Sequence, residues 1–268
     1  MIPNDFLTEH SGNILSKYNF SSSSRQIVLP KKLKEISGLD VNINGNLFGH
    51  TDEDGTIYQI DPVSGKILKS FEIGKKKIKE DFEDITIVGD DFYLVTSGGD
   101  IYKFKEGKDK EEVNFTVFRT PLKDKYDVEG ICFDHATNSL LLACKDYAGK
   151  DYKGNRAVYS FSLKDKKLAD KPRFLLPIKR FEKESQTDRF QPSAITNHTA
   201  SGNFLILSGK GLLLVEISKD GKILGEVDLK SKYHKQPEGI AFMPDKSIVI
   251  SDEGLNGNAT LTFYSLKK

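Results

Sequence analysis

The chain has 268 residues, which allows one or two domains, and its 40 Lys and Arg nearly balance its 39 Asp and Glu for a net charge of +1. Both signs are interspersed along the chain, so the composition does not favour a nucleic acid or an anionic membrane as partner. No apolar run approaches the roughly 18 residues of a membrane helix, so no transmembrane segment is predicted. Residues 1–14 lack a basic region followed by an apolar one, so no export signal is predicted either.

The N-terminal 24 residues show no clear hydrophobic period and end in the serine run Ser21 to Ser24. We therefore predict a lead-in over residues 1–24, partly flexible, followed by a single domain over residues 25–268. A short β run from Arg25 to Pro30 opens this domain. It is a predicted strand without companion strands of its own.

A short phrase then recurs and divides the rest of the chain. Its first residues are spaced by 48, 46, 64 and 45 positions, a period of about 46 with one insertion. The copies are Glu35-Ile-Ser-Gly-Leu39, Glu83-Asp-Ile-Thr86, Glu129-Gly-Ile-Cys132, Ser193-Ala-Ile-Thr196 and Glu238-Gly-Ile-Ala241. A period of 20 to 50 residues is typical of solenoids and propellers, and four β runs in each copy favour propeller blades.

The first and last repeats define how the ring closes. In the first, Asn44-Gly45 and Asp54-Gly55 are hairpin turns between short strands. The last repeat supplies three β runs, over residues 239–242, 247–251 and 260–265, and the chain then ends. We expect the N-terminal strand to supply the fourth, because this pairing removes two exposed sheet edges. The third repeat carries its extra length in two predicted loops, 147–155 and 179–191. The fold class is therefore all-β, a five-bladed β-propeller closed by its N-terminal strand.

Two sets of side chains have alternative interpretations. One tyrosine falls in the third strand of four of the repeats, where blade packing is the favoured role and ligand stacking the alternative; these are Tyr58, Tyr102, Tyr159 and Tyr264. Cys132 and Cys144 lie in the first two strands of the third repeat. They are either buried free thiols or a disulfide, and the sequence leaves both open.

Several motifs in a fixed order resemble a known family. They are residues 33–39, residues 50–60, Phe82-Glu-Asp-Ile85, residues 128–134, Gln191-Pro-Ser193 and residues 236–242. Together they resemble the bacterial SdiA-regulated, YjiK-like propeller family from about residue 25 to the end. The resemblance implies a five-bladed propeller distantly similar to NHL-repeat proteins, with a calcium site and no established reaction. It also implies an extracytoplasmic protein, periplasmic or lipid-anchored at the cell envelope.

The glutamates of the repeated phrase are the predicted metal ligands. The first strand of each blade lines the channel of a propeller, so Glu35, Glu83, Glu129 and Glu238 are expected to converge, with Ser193 in place of a fifth acid. Two like charges about 4 Å apart cost roughly 4 kcal/mol at an effective dielectric of 20, so a counter-charge is needed. Calcium, which prefers six to eight oxygen ligands, suits this set. The alternative is that the glutamates accept backbone N–H groups or pair with Lys145. The remaining residues predicted near the channel mouth are His50, Asp52, Lys145, Ser193 and Asp252.

Two functions follow from these expectations. The first is a non-enzymatic, calcium-binding scaffold of the bacterial cell envelope that contacts an unidentified protein or small molecule through its channel face, and is a monomer. The second is a metal-dependent lactonase-like or esterase-like hydrolase whose ion lies in the channel mouth. That chemistry needs a base, for which His50 and Asp252 are the candidates, and no residue is assigned as catalytic.

Overall fold

The computed structural model describes residues 13–76 and 78–267. The described chain begins with a 3-10 helix, Ile14–Lys17, and the strand β1 (Arg25–Val28), followed by the 3-10 helix Lys31–Leu33. The predicted lead-in is described only from residue 13, and residues 1–12 lie outside the described residues. From residue 13 onward it packs on the propeller through the buried side chains of Ile14, Leu15, Tyr18 and Phe20.

Five sheets follow one another around a ring, and each is one blade. Blade 1 contains β2 (Ile36–Val41), β3 (Leu47–Thr51), β4 (Thr56–Ile60) and β5 (Ile67–Ile73). Blade 2 contains β6 (Phe82–Val88), β7 (Asp91–Thr96), β8 (Ile101–Lys105) and, after the short β9 (Glu112–Val113), β10 (Phe115–Phe118). Blade 3 contains β11 (Val128–Asp134), β12 (Ser139–Cys144), β13 (Asn155–Ser162), β14 (Lys167–Leu168) and β15 (Phe174–Pro177). Blade 4 contains β16 (Pro192–His198), β17 (Asn203–Ser208), β18 (Leu213–Ile217) and β19 (Ile223–Asp228). Blade 5 contains β20 (Pro237–Phe242), β21 (Ile248–Asp252) and β22 (Thr260–Tyr264).

The ring closes as the sequence predicts. Strand β1 pairs antiparallel with β22, with Arg25 opposite Phe263 and Val28 opposite Thr260. The innermost strands β2, β6, β11, β16 and β20 contact one another in order, and β20 contacts β2. The prediction of an all-β, five-bladed propeller closed by its N-terminal strand is confirmed.

The hydrophobic core is divided into five wedges, one between each pair of neighbouring blades. This follows from the period of two along a strand, since alternate side chains face the blade before and the blade after. The four third-strand tyrosines are buried in these wedges, as the packing interpretation expects: Tyr58, Tyr102, Tyr159 and Tyr264. Cys132 and Cys144 are buried free thiols. In the register of β11 and β12 they are not opposite each other, because Cys132 faces Leu141 and Cys144 faces Val128.

Two connections depart from a plain four-stranded repeat. Strand β9 leaves blade 2 and runs parallel to β5 of blade 1, with Glu72 opposite Glu112. In blade 3 the outer edge of β13 is shared by β14 and β15. The two insertions predicted in the third repeat are loops outside the blades, apart from Asn155, which begins β13. The longer insertion contains the end of a 3-10 helix, Ile178–Phe181.

Candidate functional site

A β-bulge interrupts every innermost strand close to its start. A bulge adds a residue to one strand of a pair and redirects its side chain. The residues at equivalent positions in the five bulges are Ser37, Glu83, Glu129, Ser193 and Glu238. The five bulges form a ring at one end of the channel, which we call the acidic mouth.

Glu35 occupies a different place from the other repeated glutamates. It precedes β2, and the residue equivalent to Glu83 is Ser37, exactly one 46-residue period earlier. Glu35 is half-buried at the edge of the mouth, where its charge acts on the carboxyl groups of Asp52 and Glu253. The mouth therefore contains three bulge glutamates and two bulge serines, with Glu35 in a second acidic group on blades 1 and 5.

The serines of the bulge ring connect neighbouring blades. The Ser37 hydroxyl donates to the carbonyl oxygen of Glu83 at 2.5 Å, and the Ser193 hydroxyl donates to the carbonyl oxygen of Pro237 at 2.9 Å. Ser251, on the second strand of blade 5, connects blades 5 and 1, since its hydroxyl donates to the Ser37 carbonyl oxygen at 3.0 Å. Ser193 is thus engaged in a structural hydrogen bond between blades 4 and 5.

The three bulge glutamates share a strongly acidic, poorly hydrated environment. Burial, followed by the charge of Glu129, raises the pKa of Glu238 to about 8. Burial also raises the pKa of Glu83, with the charge of Glu129 as the next contribution. Glu129 is 7% exposed, and burial raises its pKa although Lys145 opposes the shift. These carboxyl groups are therefore held where their charged forms are unfavourable.

Lys145 supplies the positive charge that acts on all three glutamates. It follows the end of β12, and its Nζ lies 2.6 Å from Oε1 of Glu129 and 3.6 Å from Oδ2 of Asp127. Burial lowers the pKa of Lys145, but the charge and hydrogen bond of Glu129 outweigh burial, and the net pKa is raised. The pairing of Glu129 with Lys145, which the sequence offered as an alternative to a metal, is present in the structure.

Asp84 is a channel residue that the sequence analysis did not select. Its Oδ1 accepts the backbone N–H of Ile85 and its Oδ2 accepts that of Ile131, each at 2.9 Å. Burial raises its pKa well above the ordinary value. The other four repeats have Gly38, Gly130, Ala194 and Gly239 at this position, and a Cβ on Gly38 would lie 2.4 Å from Oδ1 of Asp84. The signal in the sequence that could have identified Asp84 is an acid at a position where the other repeats have glycine or alanine.

His50 and Asp252 lie near the ends of the second strands of blades 1 and 5, but both side chains are buried within the protein. His50 is fully buried, its Nε2 accepts the Gly38 N–H at 3.2 Å, and its Nδ1 lies 3.0 Å from the Thr51 carbonyl oxygen. Burial lowers the pKa of His50 to about 4. Asp252 binds His234 Nδ1 at 2.7 Å and the Lys235 N–H at 2.8 Å. Both side chains are engaged in hydrogen bonds within the protein.

Asp52 belongs to the second acidic group. It is half-buried, and burial, followed by the charges of Glu35 and Asp81, raises its pKa. Its Oδ1 has no hydrogen-bond partner among the described residues. The negative charge of the mouth thus extends from the bulge glutamates to the rim of blade 1.

The donor chemistry of the mouth suits a hard cation, since the bulge residues present carboxylate and hydroxyl oxygens. The positions of the side chains are less suitable. Within residues 13–76 and 78–267, no group of three or more His, Cys, Asp or Glu side chains is placed so that it could hold a metal ion. Lys145 instead lies against Glu129. The structure therefore contains the oxygen ligands but not a preformed cage.

Solved structures of very different activity share this fold. The glutaminyl cyclase of Myxococcus xanthus is 12% identical, with a TM-score of 0.60 over 92% of this chain and 97% of that chain. A luciferin-regenerating enzyme is 11% identical, with a TM-score of 0.56 over 87% and 92%. The PQQ-bound aldose sugar dehydrogenase of Streptomyces coelicolor is 11% identical, with a TM-score of 0.56 over 92% and 98%. At these identities the likeness shows the propeller fold alone.

Other comparisons concern membrane segments and sequence relatives. No helix in the described part of the chain is long and apolar enough to cross a membrane. A comparison with curated proteins found no match. Residues 13–253 match the SdiA-regulated family, which confirms the resemblance seen in the sequence motifs. The chain belongs to the SdiA-regulated family.

Proposed function

We propose that this protein is a non-catalytic binding propeller whose acidic mouth takes up a cation, and that the cation is calcium. The observation that carries the proposal is the convergence of Glu83, Glu129 and Glu238 around Lys145. Three partly buried carboxyl groups with raised pKa values attract positive charge, and a divalent ion supplies more of it than one ammonium group.

Calcium binding would connect separate parts of the ring. The carboxylates that would hold the ion belong to Glu83 on blade 2, Glu129 on blade 3 and Glu238 on blade 5. Calcium tolerates varied coordination geometry and accepts carboxylate, hydroxyl and carbonyl oxygens. A ligand that binds only the native state stabilises it by about 2.7 kcal/mol at 100 times its dissociation constant. The expected role of the ion is therefore to stabilise the closed ring.

Thermal unfolding tests this proposal directly. The melting temperature is measured in EDTA, then with added calcium and with added magnesium, and the untreated protein is subjected to elemental analysis. We expect calcium to raise the melting temperature of the native sequence. The double variant Glu129→Gln and Glu238→Gln is expected to lose this rise, whereas Glu182→Gln with Glu184→Gln, two exposed loop glutamates, keeps it. A full calcium-induced rise in the mouth variant would contradict the proposal.

The hydrolase alternative receives no specific support from the site. Its two candidate bases, His50 and Asp252, are buried and hydrogen-bonded within the protein. Two features support a scaffold role. The side chains of His50 and Asp252 are already hydrogen-bonded within the protein. The loop over residues 182–187, which follows blade 3, is exposed and offers a surface to a partner. Membership of the family supports a location at the cell envelope, which fractionation of the native host tests.

A further inference from the structure

A second opening lies at the end of the channel opposite the acidic mouth. It is a cavity of about 930 Å³, which we call the distal cavity. All five blades line it through the later residues of their innermost strands, and the lead-in contributes Ile14, Lys17 and Tyr18. The lining strand segments are residues 39–41, 85–87, 131–133, 195–197 and 242–243.

Asp84 lies between the distal cavity and the acidic mouth. It is one residue before Ile85, which lines the cavity, and one residue after Glu83, which belongs to the mouth. Its carboxyl group is fully buried and binds the N–H groups of two blades. The cavity and the mouth therefore lie on opposite sides of Asp84, and a ligand of one need not contact the other.

The wall of the distal cavity combines apolar and polar side chains, and the polar ones include Asn42, Asn197 and Ser201. Aliphatic and aromatic side chains from different blades face it, among them Val41, Ile87, Phe133 and Phe242. Thr86 and Thr196 add hydroxyl groups, and the Thr86 hydroxyl is already donated to Oδ2 of Asp40 at 3.0 Å. A concave space of about 300 to 1,000 Å³ with both apolar side chains and a few polar groups is typical of small-molecule sites.

The charges of the cavity have opposite signs at its rim and in its wall. Lys17 and Lys246 are exposed lysines of the lining. Both lie near His198, since both charges lower the pKa of His198 in addition to the effect of burial. The His198 ring lies 5.1 Å from that of Phe242.

Asp40 is the acid of the lining, and its oxygens are occupied. Oδ1 accepts the Val41 N–H at 2.7 Å, and Oδ2 accepts the Ile87 N–H at 2.7 Å as well as the Thr86 hydroxyl. Burial raises the pKa of Asp40 to about 6. Among the charged residues of the lining, the exposed ones are thus the two lysines Lys17 and Lys246.

We propose that the distal cavity binds a small amphipathic anion, an apolar body with one carboxylate group. The body would lie among the side chains of the innermost strands, where it removes apolar surface from water. The carboxylate would face Lys17 and Lys246 at the rim, where solvent still reaches it. An amphipathic cation of the same length would meet these two lysines with like charge, and a small polar anion would lack the apolar contact.

Isothermal titration calorimetry in EDTA tests this site separately from calcium binding. Decanoate is titrated below its micelle concentration, with decyltrimethylammonium and acetate as comparisons. We expect decanoate to bind at one site at least tenfold more tightly than either comparison. Equal binding of the cationic analogue, or no binding of decanoate, overturns the proposal. Either result leaves the calcium proposal untouched, because the acidic mouth is tested by added metal.

Variants then locate the site. Lys17→Glu with Lys246→Glu reverses the rim charge on exposed side chains, and we expect decanoate to bind at least tenfold more weakly. Lys164→Glu with Lys171→Glu makes the same charge change at exposed lysines outside the cavity and is the matched control. Ile87→Trp occupies part of the cavity, and we expect it to weaken binding at least fivefold while the melting temperature shows that it is folded. Unchanged affinity in the rim variant, or equal weakening in the control, overturns the proposal.

Discussion

Lys145 Nζ lies 2.6 Å from Oε1 of Glu129, and Oδ2 of Asp127 lies 3.6 Å away from the same ammonium group. The Glu129 side chain is 9% exposed, whereas that of Lys145 is 34% exposed, so the acid is the buried partner. Lys145, which follows β12, therefore partly neutralises the three glutamates that blades 2, 3 and 5 place in the acidic mouth. This contact supplies a counter-charge inside the mouth, and the proposed cation would have to compete with it.

Replacing Lys145 with methionine should destabilise the protein and favour metal binding. It leaves Glu129 buried beside Asp127 without its ammonium partner, which we expect to cost about 1 to 3 kcal/mol at pH 8. Urea unfolding measures this cost, and calorimetry measures calcium affinity, which we expect to rise about tenfold because the ion no longer competes with a lysine. Lys183→Met is the matched control, since its pair with Asp228 is exposed and is expected to contribute about 0 to 1 kcal/mol. Weaker calcium binding in Lys145→Met would contradict the proposed site.

Stability in EDTA should fall as the pH rises from 5 to 8.5. The pKa of Glu238 is about 8 in the folded protein, above its ordinary value of 4.5, so the native state binds a proton that the unfolded state has released. The resulting stability is fully present below pH 4.5 and is lost as the pH passes through about 8. We expect a decrease on the order of 4 kcal/mol from this group.

Glu238→Gln should flatten this pH dependence, because glutamine mimics the protonated acid and does not titrate. Glu184→Gln changes an exposed glutamate in the same way and should leave the slope unaltered. The slope is taken from chemical unfolding at each pH. Identical slopes in the native protein and in Glu238→Gln would show that burial does not raise the pKa of this group. Added calcium should also reduce the slope, since a bound cation stabilises the ionised form.

Asp84 should be essential for the centre of the ring. Asp84→Ala removes the acceptor of the Ile85 and Ile131 N–H groups, leaving two buried donors without partners, and we expect a loss of about 2 to 4 kcal/mol. Asp84→Asn keeps a carbonyl oxygen and the shape of the protonated acid, so its loss should be smaller. Denaturant unfolding compares the two, with Asp170→Ala, a change at an exposed aspartate, as control. Equal losses for alanine and asparagine would argue against a hydrogen-bonding role.

The buried contact of His234 with Asp252 and Tyr264 should contribute to stability as a unit. Nδ1 of His234 lies 2.7 Å from Oδ2 of Asp252, and Nε2 lies 2.6 Å from the Tyr264 hydroxyl. Donation from Nδ1 to Asp252 leaves Nε2 free to accept the tyrosine proton. We expect His234→Ala to cost about 2 to 4 kcal/mol and Tyr264→Phe about 1 kcal/mol.

A double-mutant cycle tests this unit. The effects of His234→Ala and Tyr264→Phe should be non-additive by at least about 0.5 kcal/mol, because both changes remove the same hydrogen bond. The exposed His135→Ala, combined with Tyr264→Phe, should be additive and serves as the control. Additive losses in the first pair would mean that the hydrogen bond contributes nothing measurable.

The sequence could not give the register of the first repeat. Aligning Glu35 with Glu83 matched residue types, whereas the structure aligns the apolar or proline residue before each bulge, which makes Ser37 the equivalent of Glu83. The position of a bulge depends on pairing with the second strand, and a two-residue error in register is enough to move Glu35 out of the bulge. The sequence shows that the fourth repeat has Ser193 where other repeats have a glutamate. It does not show that the first repeat has Ser37 at the same position.

The sequence by itself determined the number of blades and the closure of the ring. A period of about 46 residues, four β runs in each unit and a last unit with three runs leave one arrangement that pairs every edge. The tertiary structure decided the rest. It placed Asp84 at the centre, turned His50 and Asp252 inward, brought Lys145 to Glu129 and moved β9 onto blade 1. These contacts join residues of different strands and blades, and side-chain distances across a ring depend on the twist and packing of all its sheets, which no single repeat encodes.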